Sequence, residues 1–200
     1  MSLAAAGLFA WIQSAQGYRR VHRDAVQLLC PGEGRSWLDV GCGPGLVTRL
    51  AAGHGYQAHG LDRDPAMIRI ATAKRLRDNG CSFAVGDAGA DLPAADVVSA
   101  ASVLCQAPDP TGLLSILWAA VRPGGCLLLV ETTRLMSVER IRRASQRDDR
   151  RSRQVLGLWA RSRQGRALRD DVYETVPAAS HRLVPLLDGC VQAVILVRNA

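Results

Sequence analysis

Residues 38 to 45 read Leu-Asp-Val-Gly-Cys-Gly-Pro-Gly, with three glycines in five positions directly after an apolar run. Trp37, Leu38 and Val40 suit the end of a buried strand. Gly41, Gly43 and Gly45 then let the backbone turn sharply and lie against a ligand, where a Cβ would collide. Pro44 suits the first turn of a following helix, whose N-terminal amides would face whatever fills the turn. Asp39 narrows the choice of ligand. A turn built for a pyrophosphate does not normally carry a carboxylate just ahead of its glycines, whereas a ligand with positive charge near the loop accepts one.

From Ser36 onward apolar runs alternate with helical patterns, which argues for a parallel sheet with helices on both faces. Strands are expected near 36–41, 56–61, 82–86, 95–101 and 126–131, and helices near 44–53, 65–78 and 111–121. The helix at 65–78 opens on Asp64 as N-cap with Pro65 in its first turn, and Asn79-Gly80 would end it. Ahead of this core, residues 2–30 read as two helices broken near Gly17. At the far end, Arg182–Leu187 and Val191–Val197 are β-rich runs joined by Asp188-Gly189, a hairpin signal.

Three further stations follow the glycine loop in order. Gly60-Leu61-Asp62 ends the second strand about twenty residues after the glycines, where a carboxylate can accept from ribose hydroxyls. Val85-Gly86-Asp87-Ala88 follows the third strand. Val121-Arg122-Pro123-Gly124-Gly125 leads into Cys126–Glu131. Together with residues 38–45, this set closely resembles the class I S-adenosylmethionine-dependent methyltransferases, in their small-molecule branch. The resemblance covers roughly residues 36 to 131 and, more weakly, the closing hairpin. It implies a Rossmann-like, doubly wound α/β fold: a seven-stranded mixed sheet with its last strand antiparallel, a helical N-terminal lid and a helical cap insertion. It also implies S-adenosylmethionine as methyl donor, with S-adenosylhomocysteine as product. The donor's sulfonium and α-ammonium would explain Asp39. The implied cofactor contacts are Asp39, Gly41, Cys42, Gly43, Gly45, Asp62, Arg63, Met67, Asp87, Ala88 and Ala101. Arg63 and Met67 stand where the family packs an adenosine face, Asp87 where it meets the adenine amino group.

Composition fits one domain. Two hundred residues that are 48% hydrophobic bury a core of ordinary size. We expect residues 1–30 as a lid, 36–131 as the cofactor core, 134–178 as an Arg-rich cap and 180–198 as the closing hairpin. The six cysteines (Cys30, Cys42, Cys81, Cys105, Cys126, Cys190) show no metal spacing and read as small hydrophobes of a reducing compartment. No run reaches the length of a membrane span, and the apolar start from Leu3 to Ile12 lacks the basic residues that precede a secretory core. A cytoplasmic monomer or homodimer without a metal is expected.

The acceptor side is less constrained. Methyl transfer from a sulfonium asks mainly for in-line approach and exclusion of water, so a catalytic residue need not announce itself. Where the family often keeps a histidine pair after the fourth strand, this chain has Cys105 and Gln106. Tyr18 and His22, four residues apart, share a helix face and would belong to the lid. Glu131, ending the fifth strand, and His181 are further candidate bases. No Asn/Asp-Pro-Pro-Tyr/Phe or Pro-Cys motif follows the fourth strand, which disfavours adenine-N6, glutamine and cytosine-C5 methylation. A small-molecule acceptor, hydrophobic or anionic, is the expectation. Twelve arginines between Arg134 and Arg169 keep an RNA methyltransferase open as an alternative, although Asp148, Asp149, Asp170, Asp171 and Glu174 interrupt the basic run. A SAM-binding protein without transferase activity is the other.

Overall fold

A computed structural model describes residues 2–73, 80–89 and 91–200. Its seven-stranded sheet runs β3-β2-β1-β4-β5-β7-β6. The strands are β1 (Ser36–Val40), β2 (Gln57–Asp62), β3 (Cys81–Val85), β4 (Ala95–Ala101), β5 (Val121–Thr132), β6 (Ser180–Leu186) and β7 (Val191–Val197). The first five are parallel, and β7 inserts antiparallel between β5 and β6. This is the mixed sheet expected above. The helices are α1 (Leu3–Gln13), α2 (Gln16–Val26), α3 (Leu46–Gly53), α4 (Pro65–Ala73), α5 (Pro110–Ala119), α6 (Val138–Ala144) and α7 (Arg150–Arg163). The expected end of the 65–78 helix, with Asn79, lies outside the described residues.

Central strands are covered on both faces, so they read as nearly continuous apolar runs. One layer packs Trp37, Val97, Leu128 and Val130 against Val21, Val47, Val155 and Leu156 of α2, α3 and α7. The other packs Leu38, Val98, Leu127 and Leu129 against Leu114, Leu117 and Trp118 of α5 and Tyr173. Among the described residues no helix is long and apolar enough to cross a membrane.

Two boundaries differ from expectation, each for a local reason. The N-terminal break falls at Ser14 and Ala15, and Gly17 lies inside α2. Gly17 instead permits close packing: a Cβ there would meet Asp148, Ser152 and Leu156 at 3.0 Å, and its amide donates to Ser152 Oγ at 2.9 Å. The cap is helical, with α6, α7 and a 3-10 helix at Asp170–Thr175. Finally α3 starts at Leu46, because Gly45 is its N-cap in the left-handed region at φ +85° and leaves Pro44 in the loop.

Gly45 has no room for a side chain. A Cβ would come within 2.5 Å of the Phe83 ring and 2.6 Å of Arg49 Nη1. Gly45→Ala therefore combines left-handed strain with overpacking, and is expected to cost about 2–4 kcal/mol. Thermal unfolding should show the melting temperature fall by roughly 5–15 °C.

Candidate functional site

The glycine loop is held from beneath by Asp39. This carboxylate is buried in β1, and Oδ2 accepts from the Thr48 amide at 3.0 Å and the Thr48 hydroxyl at 2.7 Å. Its Oδ1 accepts from Ser99 Oγ at 2.8 Å, and Ser99 Oγ in turn accepts from Trp37 Nε1 at 2.8 Å. Burial pushes the Asp39 pKa up to about 6, against the hydrogen bonds from Thr48 and Ser99 that lower it. Asp39 thus ties α3 to β1 and β4. Its oxygens are turned into the protein rather than toward the loop's open side, so the expected charge contact is replaced by a positioning role.

Asp62, at the end of β2, reaches the loop from the side. Its Oδ2 accepts from the Gly43 amide at 2.8 Å and its Oδ1 from the Asp64 amide at 2.9 Å. Each oxygen keeps a further lone pair, and the residue is only half-buried. Gly41 and Gly43 have φ of +70° and +53°. A Cβ on Gly41 would press into Val103 at 2.7 Å, and one on Gly43 would meet the Phe9 ring of α1 at 3.2 Å. Helix α1 therefore lies across the loop. Arg151 of α7 bonds the Trp11 carbonyl at 2.9 Å and the Ser14 hydroxyl, fixing the end of α1 to the cap. Met67 is buried in α4, Arg63 and Asp87 are exposed, and Ala88 and Ala101 are intermediate. All lie at or just beyond the carboxyl ends of the parallel strands, as open α/β sheets place their ligands.

Beside this rim, β4 ends on Ser102, a buried non-glycine residue at φ +56°. Gln106, itself exposed, donates to the Ser102 carbonyl and closes the turn. Beneath the turn lies Glu131, fully buried at the end of β5. Its Oε1 accepts from the amides of Val103 at 3.2 Å and Leu104 at 3.0 Å, while its Oε2 has no hydrogen-bond partner among the described residues. Burial raises the Glu131 pKa to about 7. The Cys105 thiol lies against it and is pushed up to about 12, by burial first and then by the Glu131 charge, which favours a neutral thiol over a nucleophile. Ser102 Oγ and Thr132 Oγ1 are also buried, with no partner among the described residues.

Tyr18 and His22 face inward from α2. Their rings stack at 4.5 Å, and Trp159 of α7 packs edge-on to Tyr18 at 4.9 Å. Burial lowers the His22 pKa to about 4, and its Nδ1 pairs with the Tyr18 carbonyl at 2.9 Å, so His22 stays neutral within the core. His181 is corrected outright. It is exposed at the start of β6, in register with Leu196, at the opposite end of the sheet from the loops. A groove of about 370 Å³ between α2, α6 and the β6–β7 turn, lined by Arg20, Asp24, Arg143 and Asp188, shares no residue with the loop site.

A family model described as a methyltransferase domain matches residues 15–170. The chain belongs to this methyltransferase domain family. Among curated relatives of the methyltransferase domain, a trans-aconitate 2-methyltransferase of Methylobacterium radiotolerans is 40% identical over 112 residues, 52% of this chain and 42% of that protein. A ubiquinone biosynthesis O-methyltransferase of Xanthomonas euvesicatoria is 33% identical over 98 residues, 46% of this chain and 41% of that protein. The chain thus spans less than half the length of these relatives. Among solved structures, the magnesium protoporphyrin IX methyltransferase of Synechocystis with bound S-adenosylhomocysteine superposes with a TM-score of 0.67 at 15% identity, covering 92% of this chain and 84% of that one. A methyltransferase of Methanococcus maripaludis gives 0.68 at 14% identity, covering 100% and 94%. At such identities the likeness is one of fold.

Two residues of this methyltransferase domain escaped the sequence reading. Trp159 and Arg163 lie four residues apart on α7, and each buries a side-chain N–H with no acceptor among the described residues, Nε1 and Nε respectively. Trp159 reads as an apolar stripe residue and Arg163 as one of many arginines. Only the packing of α7 on α2 distinguishes them.

Proposed function

We propose that the chain is an S-adenosylmethionine-dependent methyltransferase acting on a small-molecule acceptor. The observation that carries this reading is the convergence of Asp62 and the positive-φ glycine loop on one bond, Gly43 N–H to Asp62 Oδ2. That arrangement sets positive-φ backbone beside a carboxylate with spare lone pairs, which fits an adenosine with its ribose hydroxyls. Bound S-adenosylmethionine supplies a methyl group already activated by the sulfonium. The protein's own part is to orient and enclose. Asp39 fixes the loop, Asp62 and Asp87 hold the nucleoside, Met67 backs it, and α1 with the cap excludes water. Ser102 through Gln106 form the wall toward the acceptor. Glu131 serves as base for an acceptor proton through its buried Oε2.

The cap supports a small acceptor over RNA. Three of its twelve arginines pair with acids of the protein: Arg140 with Asp188, Arg143 with Glu139 and Arg169 with Asp171. From α2, Arg20 pairs with Asp148 at 2.6 Å. The relatives named for trans-aconitate and ubiquinone biosynthesis point the same way. Calorimetric titration should show saturable binding of S-adenosylmethionine and S-adenosylhomocysteine. No binding of either would overturn the reading, and steeply salt-dependent binding of RNA would replace the small acceptor by a nucleic acid.

A further inference from the structure

The two orphaned donors of α7 lie on one face, a helical turn apart. Trp159 is 5% exposed and Arg163 is half-buried. Among the described residues Arg163 has no carboxylate partner. Its only hydrogen bond there is from Nη1 to the neighbouring Ser162 carbonyl, at 3.5 Å. Leaving a buried N–H unpaired costs about 1–3 kcal/mol, and the cost is larger for a charged group. Two such costs side by side are relieved together by one ligand with two acceptor atoms. The Tyr18 ring packs against Trp159, and its phenol is near enough to feel both the Arg163 guanidinium and Cys105. Cys105 in turn is near enough to feel Arg163, Arg166 and Glu131. Arg163 and Glu131 thus share the Cys105 thiol as a neighbour.

Resting on the methyltransferase reading above, we propose that Trp159 Nε1 and Arg163 Nε, with the Tyr18 hydroxyl beside them, seat a carboxylate of the methyl acceptor. The acceptor is then an organic acid. A planar carboxylate offers one oxygen to each N–H, and the fixed fork of a guanidinium suits it better than an ammonium would. Its charge is neutralised at the cap, away from Glu131. A second, protic group on the same molecule is left to face the Glu131 carboxylate. An acid with a hydroxyl or amine a few bonds away meets both demands.

Benzoate tests the seat directly, with benzamide as a matched uncharged probe. Both are titrated by calorimetry into the full chain saturated with S-adenosylhomocysteine. Benzoate is expected to bind saturably and benzamide at least tenfold more weakly. Arg163→Gln should weaken benzoate at least tenfold, leave S-adenosylhomocysteine affinity unchanged and not lower the melting temperature. Arg163→Lys should not restore binding, and Trp159→Phe should weaken it severalfold. Equal affinity for the two probes, no benzoate binding, or undiminished binding to Arg163→Gln would each overturn the proposal. Tighter binding of inorganic phosphate than of benzoate would also overturn it, in favour of a phosphorylated acceptor. A chain that binds benzoate but not S-adenosylhomocysteine would keep the seat and remove the cofactor reading instead.

Discussion

Asp62→Ala is expected to weaken S-adenosylmethionine and S-adenosylhomocysteine binding by a hundredfold or more in calorimetric titration. Two effects add. Hydrogen bonds to a charged group are worth about 1.5–3 kcal/mol each, and a ribose presents two hydroxyls to the remaining lone pairs of Asp62. The same substitution removes the acceptor for the Gly43 amide, which Asp62 Oδ2 holds at 2.8 Å. The loop then loses its lateral anchor while Asp39, Thr48 and Ser99 still fix it from below. Asp62→Asn retains an acceptor oxygen and should fall between the two. Unchanged affinity in Asp62→Ala would place the cofactor elsewhere and sink the assignment of this site.

The strand ends that carry the proposed donor site were legible because their signals are local. Gly41 to Gly45 follow β1, a strand buried on both faces that leaves an apolar run ahead of its loop, while Asp62 and Asp87 were placed by their spacing from it. Asp39 shows the limit of that reading. Its residue type and position were evident, but the direction of its carboxylate depends on Ser99, sixty positions away on the neighbouring strand. The start of α3 was misjudged because Pro44 is a good first-turn residue, whereas the decisive constraint is the Phe83 ring against Gly45. Gly17 misled in the opposite sense. Glycine breaks isolated helices, yet here it serves contact between α2 and α7.

The proposed acceptor side rests on distant pairings that no window of sequence contains. Glu131 meets Val103 and Leu104 across two strands, and Tyr18 meets Trp159 across most of the chain. Candidate bases could be named by type alone, so Glu131 and His181 were indistinguishable until the sheet placed them at opposite ends. The same holds for the arginines. Twelve of them in one segment suggested a surface for nucleic acid, while the fold pairs several with their own acids and leaves Arg163 facing inward with an unused N–H.

Glu131→Gln separates chemistry from architecture at that inner wall. Glutamine keeps an oxygen for the amides of Val103 and Leu104 but cannot take a proton, so kcat should fall by about 10²–10⁴-fold while S-adenosylhomocysteine affinity holds. In the native protein a base with a pKa of about 7 must be ionised to act, so the rate should rise with pH through about 7 and level off above it. That limb should vanish in Glu131→Gln. Stability supplies an independent check with the opposite trend. The Glu131 pKa is raised above its ordinary 4.5, so between these values the folded state holds a proton that the unfolded state has lost. Its contribution is therefore full below about pH 4.5 and is lost as the pH rises through 7, a change of about 3 kcal/mol. Burial raises Asp39 as well, so the quantity to read is the difference between native and Glu131→Gln melting curves across this range. Glu131→Ala serves as the contrast, because it strands both amides and should destabilise the fold at every pH. A Glu131→Gln enzyme with native kcat and an intact acid limb would reduce Glu131 to a support for the Ser102–Gln106 turn.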